Sequence, residues 1–354
     1  MVRKICVVVT ARPSYSRVQS VLKSLKKSEK VELQLIVAAS ALLERYGRVL
    51  DDMVRDGFVP NKKIYMSLEG ENLITSAKST GLGIIELSSA FDELKPDIVV
   101  TVADRFETIS TAIAASYSNI PLAHIQGGEV TGSIDEKVRH AVTKLSDMHF
   151  VSNSDSHERL LRMGEDANSV FTTGCPSIDL VKEVLSNNTN SHNVFDKGVG
   201  DKINLFKDYL VVMQHPVTNE YLDSFDQVEQ TLQAISHLNM PTIWFWPNMD
   251  AGSDKISKAL RHYREKNTSN KMYFLKNLSP EHFLPLLNNS NCLVGNSSVG
   301  IRESSFMGVP VVNIGSRQNG RLRGKNVIDV NYSKEEIIEA INLGFVVDEI
   351  IQII

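Results

Sequence analysis

The chain has 354 residues, 42% hydrophobic and 23% charged, a balance that excludes a disordered, collagen-like or disulfide-stapled protein. Its 38 basic and 42 acidic residues leave a formal net charge of −4, which argues against a dominant nucleic-acid footprint but leaves room for a local basic site. The length suits two domains of ordinary size, each large enough to bury a core without staples.

The three cysteines, Cys6, Cys175 and Cys292, lie far apart and form neither a CxxC pair nor a metal-ligand spacing. Their low, odd count fits a reducing compartment. Met1–Thr10 reads as a strand rather than a signal peptide, and no apolar run approaches the roughly 18–20 residues of a membrane span. The expectation is a soluble cytoplasmic protein without a metal, a bound cofactor, or a nucleic-acid or membrane partner.

In chain order, Ile5–Thr10 reads as a buried strand, followed by a polar loop and a helix near Val18–Lys27. Leu33–Ala39 is the next strand. Leu73–Leu94 has helical spacing and stops before Pro96. Asp97–Val102, Pro121–Gln126 and Met148–Val151 repeat the strand theme, with helices between. The pattern pauses over Ser186–Asp201, where four Asn, two Ser and two Gly give no periodicity and suggest a linker. Strands resume at Tyr209–Met213, Thr242–Phe245, Met272–Leu275, Cys292–Val294 and Val309–Ile314. Helices are expected near Ser224–His237, Asp254–Lys266, Pro280–Leu287 and Val299–Met307. Such alternation predicts an α/β fold of two doubly wound, Rossmann-like parallel-sheet domains, residues 1–185 and 186–354, the final residues returning toward the first domain.

Ligands of open α/β sheets sit beyond the carboxyl ends of strands, so the loops that follow strands are the places to look. Arg12 and Ser16, after the first strand, suit an anion at a helix start, or else a capped turn with a solvated Arg. No GxGxxG is present there. Asp104 and Arg105 follow the strand DIVVTV and could place a base beside an anion binder, although an Asp there can also be a simple helix cap. The run from His124 to Glu136 carries closely spaced glycines, with Glu129, Asp135 and Glu136 together as candidates for general acid and base work. Asp135 and Glu136 are equally ordinary partners of a helix N-terminus. His215, beside Pro216, suits phosphate binding or proton movement, though a lone His is more often structural. Ser297 and Ser298, in GNSSVGIRE, suit an anion cradle, with Glu303 near the start of the same helix.

Taken together, ADRFET, HIQGGEVTGSIDEKVRHAVTKL, QHPVT, WPNMDAGS, GNSSVGIRE and GSRQNGR make the chain resemble the hydrolysing UDP-N-acetylglucosamine 2-epimerases of sialic-acid synthesis. The likeness runs from the first strand to about Asp329. The non-hydrolysing branch usually has an HxEAGLR-like segment where this chain has its GGE and IDE signatures. The resemblance implies a GT-B-like fold, with the nucleotide in a cleft between two Rossmann-like domains, and a homodimer or homotetramer. It implies that Arg12, Ser16 and Arg105 hold the diphosphate, and that His215, Asn248, Ser297 and Ser298 meet it from the second domain. Glu303 would take the ribose, Leu278 would lie at the base, and Arg317 would sit in the nucleotide-side pocket. Asp104, Asp135 and His215 match catalytic positions.

Where the family often has Glu, this chain has Gln126, and a neutral amide cannot act as a base. Gln126 therefore marks a substrate subclass, a transfer of proton work to Asp104, Glu129 or Asp135, or an engineered change. The tail VVDEIIQII also departs from the further Gly-rich segment and final helix common in relatives. The implied reaction is elimination of UDP followed by hydration, giving N-acetylmannosamine from UDP-N-acetylglucosamine. The same chemistry on UDP-2,4-diacetamido-2,4,6-trideoxy-glucose, a GT-B glycosyltransferase, and a non-catalytic sugar-nucleotide sensor are the alternatives.

Overall fold

The structure, a computed structural model, describes residues 2–46, 48–70, 72–187, 194–196, 198–267 and 271–351, the side chains of Arg45 and residues 345–351 excepted. It divides into two α/β units, Met1–Val130 with Ile134–Leu180, and Thr131–Ser133 with Val181–Ile354. The linker expected over Ser186–Asp201 falls in part on residues outside those described, as do the side chains of the closing tail.

The first unit runs β1 (Arg3–Val9), α1 (Arg12–Lys27), β2 (Val31–Ala38), α2 (Val49–Arg55), β3 (Lys62–Ile64), α3 (Leu73–Leu94), β4 (Ile98–Val102), α4 (Thr108–Tyr117), β5 (Leu122–Ile125), α5 (Ile134–Lys144), β6 (Met148–Val151), α6 (Ser154–Arg162) and β7 (Val170–Thr172), and α7 (Pro176–Ser186) crosses the division. Its sheet is parallel throughout, in the order β3-β2-β1-β4-β5-β6-β7. Successive residues of β1 point to opposite faces, and both faces are covered. Val7 and Val9 join Tyr15, Val18 and Leu22 of α1, while Cys6 and Val8 join Leu87 and Phe91 of α3. That two-sided burial is why the strand reads as a continuous apolar run. Each such side chain contributes roughly 1.5–3 kcal/mol when fully buried.

The second unit runs β8 (Gly198–Gly200), β9 (Leu210–Met213), α8 (Ser224–Leu238), β10 (Thr242–Phe245), α9 (Ser253–Lys266), β11 (Met272–Leu275), α10 (Pro280–Asn288), β12 (Cys292–Gly295), α11 (Ser298–Ile301), α12 (Glu303–Met307), β13 (Val311–Ile314), β14 (Val327–Val330) and α13 (Lys334–Ile351). Its sheet order is β14-β13-β12-β9-β10-β11-β8. One feature corrects the expectation of purely parallel sheets: β8 pairs antiparallel with β11 at the edge. A three-residue strand with glycine at both ends shows no readable period.

Two further expectations are corrected. α1 begins at Arg12, not near Val18, with Pro13 in its first turn and an extended Ala11 as N-cap. Proline fits a first helical turn because the amide it lacks would have no partner there. Arg12 and Ser16 therefore stand on a helix rather than in a polar loop. The single helix expected over Val299–Met307 is two short ones, broken at Arg302 (φ −107°, ψ −73°), so Glu303 opens α12 and does not share the helix of Ser298.

Strand order then selects positions. In the first sheet, β1 pairs with β2 on one side and β4 on the other, and in the second, β9 lies between β12 and β10. These are the points where the winding reverses and helices leave on opposite faces, opening a crevice beyond the strand ends. The segments that follow β1, β4, β9 and β12 are four of those singled out above.

Candidate active site

In the first unit, the carboxyl end of β4 turns sharply. Ala103 has φ +65°, a left-handed conformation uncommon outside glycine, and it delivers Asp104 to a buried position. The turn is held from β5 by His124. Its Nε2 lies 2.9 Å from the Ala103 carbonyl and its Nδ1 lies 3.2 Å from Thr143 Oγ1. A carbonyl can only accept, so Nε2 carries the proton and Nδ1 accepts from the Thr143 hydroxyl. Burial pushes His124 down to about 4, which keeps the ring neutral near pH 7.

Asp104 lies between two buried arginines. Arg17 of α1 approaches one carboxylate oxygen at 3.5 Å, and Arg139 of α5 forms an ion pair with the other. Arg139 is fully buried and also donates through Nη1 to the Glu129 carbonyl at 2.7 Å. It stands one helical turn after Asp135, so one face of α5 carries both the acid and the clamp on Asp104. Sequence reasoning passed over Arg17 and Arg139, although Arg139 sits within the IDEKVRH run four residues after Asp135.

Cations gather beside this clamp. Arg105 Nε donates to the fully buried Glu107 at 3.2 Å. Burial and the charge of Arg105 bring Arg12 down to about 10, with Asp52 acting in the opposite direction. Arg12 thus stays cationic near neutrality. Two guanidiniums held within each other's field, in partly desolvated surroundings, favour a bound anion. Ser16, one turn along α1, donates to the Arg12 carbonyl at 3.4 Å.

Glu129 and Gln126 are placed differently. A Glu129 carboxylate oxygen accepts from Ser152 Oγ at 3.3 Å, tying it to the end of β6. Gln126 is fully buried at φ +65°, and its Nε2 lies 3.1 Å from Cys175 Sγ.

In the second unit, Asn296 organises the ends of β9 and β12. Its Oδ1 accepts from the His215 amide at 2.7 Å, and its Nδ2 donates to the His215 carbonyl at 2.8 Å. Gly295 precedes it at φ +131°, and a Cβ there would sit 2.2 Å from the Met213 carbonyl oxygen, so the strand ends approach only because the residue is glycine. His215 Nδ1 accepts from the Asn248 amide at 3.2 Å, which leaves Nε2 as the donor edge of the neutral ring. The Asn296 carbonyl in turn accepts from Gln318 at 2.8 Å and from Arg317 at 3.4 Å, and Arg317 lies 3.8 Å from Asp250.

Ser297 caps α11, accepting from the Val299 amide at 3.4 Å, as the capping alternative foresaw. With four residues, α11 has only a small dipole, so any anion binding there would rest on individual N–H and O–H donors. Glu303 has one buried carboxylate oxygen with no hydrogen-bond partner among the described residues. Leu278 is buried among Phe245, Leu286 and Leu287. Among the described residues no group of three or more His, Cys, Asp or Glu is arranged to hold a metal ion, and no helix is long and apolar enough to cross a membrane.

Comparison with known proteins gives this arrangement its context. The family model for UDP-N-acetylglucosamine 2-epimerase matches residues 23–345. A UDP-N,N'-diacetylbacillosamine 2-epimerase (hydrolyzing) from Legionella pneumophila is 35% identical over 97% of this chain and 90% of its own length. A UDP-N-acetylglucosamine 2-epimerase from Neisseria meningitidis is 30% identical over 96% of this chain and 87% of its own. Among solved structures, the Neisseria meningitidis UDP-GlcNAc 2-epimerase bound to UDP-GlcNAc matches with a TM-score of 0.76 at 18% identity, covering 96% of this chain and 90% of that one, so the two share the GT-B-like fold. By its motifs, its two parallel-sheet units and these full-length relatives, the chain belongs to the UDP-N-acetylglucosamine 2-epimerase family.

Proposed function

We propose that the protein is a hydrolysing 2-epimerase that converts UDP-N-acetylglucosamine to N-acetylmannosamine and UDP. The observation that carries this reading is the grouping beyond β1 and β4. There the Asp104 carboxylate is fixed by Arg17 and Arg139, with the cations Arg12 and Arg105 nearby. Cations are needed to draw off a diphosphate, and the proton carrier, Asp135, stands one turn from Arg139 on α5.

In the first step the C1–O bond breaks and its electron pair leaves with UDP. Cationic character at C1 makes the C2 hydrogen easier to remove, and its loss gives a glycal. Water then adds across that double bond, its oxygen to C1 and a proton to the opposite face of C2. Arg12, Arg105, His215, Ser297 and Ser298 stabilise the departing charge, each such donor lowering the barrier by about 2.7–4 kcal/mol if it acts as an oxyanion-hole donor does. Asp135 takes the C2 proton on one face, and a second carboxyl group, Glu129, returns one on the other. Asp104, whose oxygens are both engaged by guanidiniums, orients the arginines. Asn248, Leu278, Glu303 and Arg317 hold the nucleoside, Glu303 through its unpartnered oxygen. The bond changes are proton transfers and a C–O cleavage, so the reading calls for no redox cofactor.

A second reading has the same chemistry acting on UDP-2,4-diacetamido-2,4,6-trideoxy-glucose. Gln126 supports it, as does the 35% identity to the Legionella protein. The deciding experiment incubates each UDP-sugar with the enzyme in D₂O and follows it by proton NMR. The proposal expects UDP release and a free manno-configured product with deuterium at C2, formed fastest from UDP-N-acetylglucosamine. Faster turnover of the diacetamido sugar would favour the second reading. Transfer of the sugar to an acceptor without label at C2 would mark a glycosyltransferase, and binding without turnover would mark a sensor.

A further inference from the structure

The turn that carries Glu129 is bound from two helices and from a strand end. Gly128 has φ +77°, and a Cβ there would lie 2.6 Å from the Ser156 carbonyl oxygen and 2.6 Å from Leu160 Cδ1. The turn packs directly on α6 only because the residue is glycine. Two guanidiniums then take two successive carbonyls. Arg159 Nη1, on α6, donates to the Gly128 carbonyl, and Arg139 Nη1, on α5, donates to the Glu129 carbonyl at 2.7 Å. Charge-assisted bonds from separate helices leave the Gly128–Glu129 backbone little freedom to rotate. The side chain is held as well, because Ser152 Oγ donates to Glu129 Oε1 at 3.3 Å.

Ser152 and Arg159 belong to one strand–helix unit, β6 and α6. β6 pairs in parallel with β5, whose end runs into the Gln126–Glu129 turn. A serine just ahead of a helix is ordinarily its cap. Here Asn153 has that task, accepting from the Ser156 amide at 2.9 Å, so the Ser152 hydroxyl serves Glu129 instead. A carboxyl group whose Oε1 accepts from a hydroxyl carries its own proton on Oε2. Ser152 therefore sets which oxygen delivers the proton, and Arg159 sets where the carboxyl group stands.

We propose that Ser152 and Arg159 are positioning residues for the second half of the reaction, the return of a proton to C2. This inference rests on the proposed 2-epimerase chemistry. In that half, the C1–C2 double-bond pair of the glycal takes the proton from Glu129 Oε2 and forms the C2–H bond. Water bonds to C1, and its surplus proton passes to the Glu129 carboxylate. Asp135 gives up to solvent the proton it took in the first half. The first half needs neither positioning residue, because UDP leaves under the pull of Arg12 and Arg105 while Asp135 takes the C2 hydrogen. A misplaced Glu129 strands the glycal, which then departs with UDP unhydrated.

The test is proton NMR on the full chain with each UDP-sugar, counting free glycal and hydrated sugar per UDP released. A second assay supplies synthetic glycal together with UDP and reads the hydration rate. The wild type is expected to give one hydrated sugar per UDP. Ser152→Ala lowers glycal hydration on the order of tenfold, as loss of one hydrogen bond to a charged group implies, and free glycal accompanies the UDP. Ser152→Thr, which keeps the hydroxyl, restores the wild-type ratio. Arg159→Leu shifts the ratio in the same direction as Ser152→Ala, and Arg159→Lys restores part of it. General loss of structure lowers both halves together and leaves the ratio unchanged. Should Arg159→Leu fail to fold, Ser152→Ala decides alone. A Ser152→Ala enzyme with the wild-type ratio and hydration rate overturns the proposal while the reaction stands. A wild type that releases UDP from neither sugar overturns both.

Discussion

The imidazole of His124 donates through Nε2 to the carbonyl of Ala103, 2.9 Å away, and so holds the left-handed turn that presents Asp104. A ring that is neutral in the folded chain and charged in the unfolded chain links stability to pH.

That linkage has a definite sign. In the folded protein His124 titrates at about 4, and its ordinary value is 6.5. Between those values the unfolded chain binds more protons, so stability falls as pH falls from 6.5 toward 4 and is insensitive to this group above 6.5. The gap corresponds to about 3 kcal/mol. His140 and His149 are also lowered by burial and add to the same trend. Urea unfolding of the wild type and His124→Asn between pH 7.5 and 5 should show a shallower slope in the variant. Parallel slopes would mean that His124 does not supply it.

Replacing Arg139 with Leu removes one of the two cations on Asp104 and the donor to the Glu129 carbonyl. Breaking a buried ion pair leaves an uncompensated charge, at a cost of about 3–5 kcal/mol. Urea midpoints should fall accordingly for Arg139→Leu, and for Asp104→Asn, which takes the shared anion from both buried arginines. Turnover should fall in both. An Arg139→Leu protein as stable as the wild type would exclude the clamp as a stabilising element.

Asp135→Asn tests the proton carrier. The expected loss is about 10²- to 10⁴-fold in kcat. Affinity for UDP, measured by calorimetry, should stay within about threefold, because the amide keeps its place in the first turn of α5. Near-normal turnover would remove Asp135 from the catalytic set.

Asn296→Ala cuts both hydrogen bonds that bracket the His215 backbone, and leaving such buried groups unpaired costs about 1–3 kcal/mol each. The effect should appear as weaker UDP binding more than as slower chemistry. Asn296→Asp keeps the acceptor and loses the donor, so it should fall between the two. A change confined to kcat would argue that Asn296 acts elsewhere.

Several elements were legible to the residue. Met148–Val151, Thr242–Phe245 and Met272–Leu275 are strands as read, because short apolar runs bounded by polar residues have few other uses. Helix α3 ends at Leu94 as expected, with Lys95 in the left-handed conformation (φ 47°) ahead of Pro96. Shorter pieces were missed. β3, β7 and β8 have three residues each, too few to show alternation. The start of α1 was read as a loop because its Ser and Pro residues imitate one.

The local sequence determined which segments alternate between strand and helix, and therefore which short segments follow strands, because those signals lie within a few residues of each other. Tertiary structure alone decided that β1 adjoins β4 and β9 adjoins β12, and it thereby chose among the candidate segments. It also decided that Arg17 and Arg139, on separate helices, close on one carboxylate. Strand order and helix placement are settled by which buried faces pack together across long stretches of chain, and no local period encodes that choice.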